Sequence, residues 1–249
     1  MNEKQITIYK EIKSKFEKLM AEKGVDSDQI KITSRGLTPE EAIGVTTRKD
    51  YPILTGKEIM LQADYKGAIG QAFTDAPADF DGSLKDVLSI DLINDQNGRG
   101  IFFGAINGVM RYFEQIDHTV HCKNQEPAEC ATEYLKFVHE NFPETKIALI
   151  GYQPSLFEAL SGNCKLRVLD LNPDNVGQMR FGIQVEHGIE DYEKVVIHWA
   201  DLVLCTGSVF CNGTMDKYVD IGKPVVFFGT SAAGAVQLLG LQRFCPLSK

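Results

Sequence analysis

The chain has 249 residues, of which 43% are hydrophobic, enough for one large domain or two modest domains with buried cores. Asp and Glu total 34 against 26 for Lys and Arg, so the net charge of −8 disfavours nucleic acid as a partner. No apolar run approaches the ~18 residues of a membrane span, and the N-terminus lacks the apolar core of a signal peptide. We therefore expect a cytoplasmic protein without a membrane partner, whose six cysteines, lacking a CxxC pair, are reduced thiols.

Residues 1–120 are predicted to form a smaller α+β domain. Apolar residues at helical spacing predict an amphipathic helix over 5–22 that ends at Gly24. Four short apolar runs separated by turn residues predict a mostly antiparallel sheet, with strands at 29–33, 42–47, 57–64 and 67–73. Two helices are expected next, over 84–91, capped by Ser83, and over 99–113.

The helix predicted over 99–113 carries three glycines on one face, Gly100, Gly104 and Gly108. Such a strip allows another backbone to approach closely, and a packing contact is its simplest interpretation. Asn107 lies beside the strip in an otherwise apolar helix. Because a buried amide without partners costs about 1–3 kcal/mol, Asn107 should either tie two elements together or reach a ligand.

Residues 121–249 are predicted to form a Rossmann-like domain, because apolar strand-like runs alternate with helical segments there. A polar segment at 114–127 marks the junction with the first domain. A helix is predicted over 127–142, from Pro127 to a stop at Pro143. Continuous apolar runs predict buried strands at 146–151, 166–170, 201–206 and 224–229. Helical segments are expected at 154–160, 189–199, 214–221 and 231–239. This alternation specifies an α/β fold with a parallel sheet and helices on both faces, in which ligands bind at the carboxyl ends of the strands.

The first two strand-end loops do not indicate one kind of ligand. The turn that begins at Gly151 is not GxGxxG, so it contains no NAD fingerprint. Asp170 closes the next strand, where a carboxylate commonly meets a ribose, yet with Asn172 it could equally build a turn.

The third and fourth strand-end loops are rich in small and hydroxyl-bearing residues. The third contains Thr206, Gly207, Asn212, Gly213 and Thr214. Helix capping explains Asn212 and Thr214 individually, but not the whole loop. The fourth contains Gly229, Thr230 and Ser231. Together the two loops predict a pocket for a carboxylate, a phosphate or a polar chelate.

Metal ligands are harder to assign from spacing. His118, His121 and Cys122 lie together at the domain junction, with Cys130 eight residues further on, and imidazole with thiolate suits zinc, copper or nickel. A solvated linker explains the same residues. Cys205 and Cys211 flank the third loop and could reach its pocket, although cysteine is also a common core residue.

Several segments resemble a prokaryotic family of unknown function described as putative heavy-metal chelation proteins. The resemblance rests on IALIGYQPSLFEAL, RVLDLNP, ADLVLCTGSVFCNGTMD and PVVFFGTSAAG in this order, and on GIFFGAINGVMRYF before them. It implies a domain similar to the N-terminal domain of enolase, joined to a Rossmann-like domain, with a ligand site between them. The matching positions are Asn107, Gly151, Asp170, Asn172, Thr206, Gly207, Asn212, Gly213, Thr214, Gly229, Thr230 and Ser231. Their amides and hydroxyls suit an organic chelate better than a bare heavy metal.

Three hypotheses for function follow. The leading one is binding of a small anionic metabolite or a metal chelate between the domains. The second is an enzyme, a lyase or transferase of chelator, pterin or flavin metabolism, with Asp170 as its acid or base. Hydrolase chemistry is disfavoured because no nucleophile lies near a base in a known motif. The third is a structural metal site at His118, His121, Cys122 and Cys130. A homodimer is compatible with the glycine-faced helix.

Overall fold

The computed structural model describes residues 1–25, 31–56 and 58–249 as an α/β fold with two sheets. The first part contains a four-stranded antiparallel sheet in the order β3-β2-β1-β4. Its elements are α1 (Glu3–Glu22), β1 (Lys31–Gly36), α2 (Pro39–Ile43), β2 (Ile59–Tyr65), β3 (Ala68–Thr74), β4 (Phe80–Ser83), α3 (Leu84–Ser89) and α4 (Gln96–Tyr112).

The strand predicted over 42–47 is wrong, because α2 ends at Ile43 and the chain then turns through Gly44. The reason is a capping box: the Thr38 hydroxyl accepts from the Glu41 backbone, and the Glu41 carboxylate accepts from the Thr38 backbone. Pro39 occupies the first turn of the helix, where its missing N–H costs nothing. The other three predicted strands correspond to β1, β2 and β3, although residues 29, 30 and 57 lie outside the described residues.

The second part contains a seven-stranded sheet in the order β11-β10-β9-β5-β6-β8-β7. All neighbours pair in parallel except β7 and β8, so the predicted Rossmann-like class is confirmed. Its elements are α5 (Glu126–Asn141), β5 (Lys146–Ile150), α6 (Pro154–Leu160), β6 (Lys165–Asp170), β7 (Met179–Arg180), β8 (Ile183–His187), β9 (Leu202–Thr206), α7 (Val209–Asn212), β10 (Val225–Phe228), α8 (Ala233–Leu239) and β11 (Gln242–Arg243).

Two helices predicted in the second part are much shorter than expected. The segment 189–199 contains only a five-residue π-helix (Glu193–Ile197), and 214–221 contains only a 3₁₀ turn (Met215–Lys217). The hairpin of β7 and β8 was not predicted. Its two-residue turn, Phe181-Gly182, has positive φ at both positions, which matches the twist of a tight hairpin.

Helix α4 lies between the two sheets and is buried along almost its whole length. It packs on β2 and β3 on one side and on α7 and α8 on the other. One continuous apolar cluster therefore includes residues of both parts, for example Phe102 with Phe16, and Phe103 with Phe210. The opposite face of the parallel sheet packs on α5 and α6 in a separate cluster. None of the helices in the described ranges combines the length and hydropathy needed to cross a membrane.

Candidate ligand-binding cleft

A cavity of about 200 Å³ lies at the carboxyl ends of β5, β6, β9 and β10. Both parts of the chain line it. The parallel sheet contributes the loops that follow its strands, which contain Gly151, Tyr152, Asp170, Asn172, Thr206, Ser208 and Gly229. The opposite wall contains Tyr51, Pro52, Ile53, Glu58, Phe73, His121 and Cys122. The cavity is therefore a cleft at the strand-end rim of a parallel sheet, where ligands of α/β proteins bind.

Most residues predicted to bind a ligand lie at this cleft. Those that line it are Gly151, Asp170, Asn172, Thr206, Gly207, Asn212, Thr214, Gly229 and Ser231. Asn107, Gly213 and Thr230 do not line it. The structure thus brings together residues from all four strand-end loops, which sequence spacing alone could only suggest.

Asn107 ties three elements together. Its Nδ2 donates to the carbonyl oxygens of Gln71 (3.1 Å) and Thr230 (2.9 Å), and its Oδ1 accepts from the Gly234 N–H at 2.7 Å. The residue is fully buried, and these three bonds occupy both donor hydrogens and its oxygen. Of the two interpretations left open by the sequence, the structure supports a tie between elements.

Several of the glycines at the cleft are explained by packing between the loops. Gly151 has φ +91°, and a Cβ there would lie 2.7 Å from Cγ2 of Thr206. At Gly207 a Cβ would lie 2.6 Å from the Ala232 backbone nitrogen. Both positions therefore require glycine whether or not a ligand is bound. Ser231 has a related role, because its hydroxyl accepts from the Phe73 N–H at 2.8 Å and joins the fourth loop to β3.

Asp170 holds the first two loops in place. One carboxylate oxygen accepts from the Tyr152 N–H at 2.7 Å, and the other accepts from the Asn172 N–H at 2.8 Å and from Asn175 Nδ2 at 3.2 Å. The turn predicted at this position is thus present. Since a carboxylate has about four acceptor sites, Asp170 keeps limited capacity for a ligand.

Glu58 is the cleft residue that sequence reasoning missed. It lies immediately before β2 and faces the strand-end loops across the cavity. Burial, as the main cause, and the negative charges of Asp170 and Asp75 together raise the pKa of Glu58 from its ordinary 4.5 to about 7. No local pattern marks this glutamate, because its environment is built by residues distant in the sequence.

The cleft has a negative electrostatic character. Glu58 and Asp170 are its acidic lining groups, and among the described residues no lysine or arginine lines it. His121 adds no positive charge at neutral pH, because burial lowers its pKa. The ring Nδ1 of His121 is hydrogen-bonded to the Cys122 carbonyl at 2.6 Å.

The residues predicted to bind metal do not form one cluster. His121 and Cys122 line the cleft, whereas the His118 ring bonds to the Ser248 carbonyl outside it. Cys205 and Cys211 are buried in the core shared by the two sheets, where burial raises the pKa of both thiols. In the part of the chain that the structure describes, no group of three or more His, Cys, Asp or Glu side chains is arranged to hold a metal ion.

Fold and cleft together define a two-sheet α/β protein with a ligand-sized site at the rim of a Rossmann-like sheet. Residues 133–239 match the model of the family DUF364, described as "Putative heavy-metal chelation". The resemblance drawn from the sequence motifs is confirmed over that segment. A search of curated proteins finds no match to this chain.

Two solved structures that match this chain are both described as DUF364 proteins of unknown function. The protein from Pyrococcus horikoshii is 14% identical with a TM-score of 0.52, and the alignment covers 90% of this chain and 80% of that one. The protein from Desulfitobacterium hafniense is 14% identical with a TM-score of 0.48, covering 73% of this chain and 72% of that one. The first of these similarities supports the fold.

Proposed function

We propose that the cleft binds a small metal chelate, an organic chelator with its metal, whose bound form carries positive charge. The observation that carries this proposal is the charge of the lining: Glu58 and Asp170 face the cavity without a lysine or arginine beside them among the described residues. Burial is the main cause of the raised pKa of Glu58, followed by repulsion from Asp170 and Asp75, and a cationic ligand would offset both. The heavy-metal description of the matched family supports the same class of ligand.

A free anion fits this lining less well, although the sequence predicted an anionic metabolite as an equal alternative. At a partly buried site two unit charges 4 Å apart interact by about 4 kcal/mol at an effective dielectric constant of 20. A carboxylate or phosphate brought beside Asp170 would meet repulsion of this order, and Glu58 would add to it in its ionised form. The amides and hydroxyls of the loops can still bind the organic part of a chelate through hydrogen bonds.

Contacts across the mouth of the cleft position its two walls. Tyr51 and Ser155 share a hydrogen bond between their hydroxyls at 2.6 Å. Arg48 binds both Asp50, at 2.7 Å, and Glu158, at 2.5 Å, and so joins the segment before Tyr51 to α6. These bonds fix the wall that contains Tyr51 against the strand-end loops. A ligand would therefore enter a largely preformed site.

Isothermal titration calorimetry with a panel of chelates tests the proposal. The panel pairs cationic and anionic complexes of one metal, and includes each free chelator and the free metal. We expect a cationic chelate to bind, and Glu58→Gln to weaken it about tenfold, which is ~1.4 kcal/mol. The exposed Glu140→Gln should bind like the parent. Binding of anionic complexes only, or of nothing in the panel, would overturn the proposal.

A second candidate function is an enzyme that acts on the same ligand. The raised pKa of Glu58 is the observation that favours it. A carboxyl group with a pKa of about 7 suits general acid–base catalysis near neutral pH. Asp170, the acid or base expected from the sequence, is less suited because its oxygens hold three hydrogen bonds. Mass spectrometry of chelates incubated with the protein tests this. Turnover lost in Glu58→Gln supports an enzyme, and recovery of every bound chelate unchanged contradicts it.

A further inference from the structure

Three of the six cysteines, Cys122, Cys130 and Cys245, line the cleft. Cys122 follows the junction segment, Cys130 lies in the first half of α5, and Cys245 follows β11. All six cysteines are free thiols. The fold thus brings Cys245 to the same cavity as Cys122 and Cys130, which lie more than 100 residues earlier in the chain.

The surrounding backbone holds this cluster in place. Val120 and Lys249 exchange two backbone hydrogen bonds, at 2.7 and 2.8 Å, so the tail runs beside the junction segment. Arg243 fixes the start of the tail, because its guanidinium donates to the carbonyl of His118 at 2.6 Å. The segment that contains Cys245 is therefore held beside the segment that contains Cys122.

The thiols of Cys122 and Cys130 interact with each other, which raises the pKa of Cys122 and lowers the pKa of Cys130. The backbone of Leu247 acts on Cys130 in the same direction. The interaction with Cys122 is the largest cause of the lowered pKa of Cys130, and it outweighs the opposing effect of burial. The pKa of Cys122 is raised first by its interaction with Cys130 and then by burial of the side chain.

Cys130, the cysteine with the lowered pKa, is also the more exposed of the two. Cys130 is partly exposed and can meet a small oxidant, whereas Cys122 is buried at 5% exposure. A reactive, accessible thiolate in contact with a protected thiol is the arrangement that a thiol-based redox site requires.

We propose that Cys122 and Cys130 form a redox-active dithiol in the wall of the cleft, which a hydroperoxide converts to a disulfide. The Cys130 thiolate attacks the peroxide oxygen; the O–O bond breaks, hydroxide leaves, and Cys130 becomes a sulfenic acid. The Cys122 thiol then attacks the sulfenic sulfur, and water leaves as the S–S bond forms. The peroxide gains two electrons and the two thiols lose them.

Peptide mass spectrometry on the reduced full-length chain tests this site without any ligand. The protein is treated with hydrogen peroxide, blocked with N-ethylmaleimide and digested. We expect a peptide pair linked through Cys122 and Cys130 in the parent and in Cys245→Ser. In Cys122→Ser, a sulfenic acid should persist at Cys130 and be trapped by dimedone. A predominant Cys130–Cys245 linkage, or oxidation of Cys164 while the pair stays reduced, would overturn the proposal.

A rate measurement on the parent protein needs no variant that could misfold. Cys164 is a suitable internal reference, because it is also partly exposed but burial raises the pKa of its thiol. Since a lower pKa gives a larger thiolate fraction at pH 7, Cys130 should be alkylated by iodoacetamide faster than Cys164. Equal rates for the two cysteines would contradict an activated Cys130.

Discussion

Glu58 should make the stability of the folded protein depend on pH. Its pKa in the folded state is about 7 against an ordinary 4.5, so the folded state holds its proton over a window in which the unfolded chain has lost it. The stability that this protonated carboxyl contributes is fully present below pH 4.5 and is lost as the pH rises through 7. Above that pH the charged group is buried beside Asp170.

Replacing Glu58 with glutamine removes this loss. We expect Glu58→Gln to be more stable than the parent by on the order of 2 kcal/mol at pH 8, and to differ little from it at pH 4.5. Urea unfolding at several pH values measures the difference. The exposed Glu140→Gln should follow the parent throughout. A parallel pH profile for Glu58→Gln and the parent would show that Glu58 titrates normally.

Asn107 should be among the polar residues on which the fold depends most. In Asn107→Ala the Gly234 N–H and the carbonyl of Thr230 lose their partner inside the core. We expect a loss of about 2–4 kcal/mol in the free energy of unfolding, measured by urea denaturation. Asn163→Ala, which removes an exposed bond to Ala159, should change stability by less than about 0.5 kcal/mol. Similar effects of the two substitutions would contradict this role.

At the scale of elements, the glycine strip of α4 packs on β3, and the closest contact comes from the strand. A Cβ on Gly70 would lie 2.2 Å from both the Gly104 carbonyl oxygen and the Gly108 nitrogen, which are helix backbone and cannot move aside. A Cβ on Gly104 would instead meet the Ala63 Cβ at an ordinary 3.6 Å. The strand glycine is therefore required, whereas this helix glycine is not.

This asymmetry predicts opposite effects for the same substitution on the two elements. Gly70→Ala should lower the free energy of unfolding by at least about 3 kcal/mol, because helix and strand must separate. Gly104→Ala should be neutral or stabilise by up to about 1 kcal/mol, since alanine is the better helix former. Thermal and urea unfolding measure both. If Gly104→Ala destabilises as much as Gly70→Ala, the helix packs more closely on the sheet than described.

Sequence patterns predicted the elements whose signals are local. The buried strands β5, β6, β9 and β10 were found because both faces of a parallel sheet are covered and the runs are continuously apolar. The segment 42–47 was misassigned because its apolar residues outweighed the capping box before it. The Phe181-Gly182 turn offered only one turn residue, so the hairpin was missed.

The residues of the candidate site also fall into a group that the sequence could predict and a group that it could not. Loops that follow predicted strands could be assigned to one rim of the sheet by topology, and nine of the predicted residues from Gly151 to Ser231 line the cleft there. Glu58 and the Cys122–Cys130 contact depend on how the two parts of the chain pack. No local period encodes that packing. The negative lining of the cleft was therefore not predictable from the sequence.

For the whole molecule, the decisive feature is that α4 is buried from both sides. Phe103 packs on Phe210 with ring centroids 5.8 Å apart, while Phe102 packs on Phe16 at 6.2 Å, so one helix completes the cores of both parts. Separating the parts would expose large apolar side chains on whichever part loses α4. The boundary predicted after residue 120 therefore divides a chain whose two parts share a core.

We accordingly expect the protein to unfold in a single cooperative transition. In calorimetry the van 't Hoff and calorimetric enthalpies should agree, and a fragment of residues 121–249 should show no cooperative melting, because the face that α4 covers would be exposed. A cationic chelate bound at the cleft contacts both walls and should raise the temperature of that one transition as its concentration increases. Two resolved transitions, or a cooperatively melting fragment, would instead establish two independently folding domains. In that case a chelate in the cleft would act by joining them.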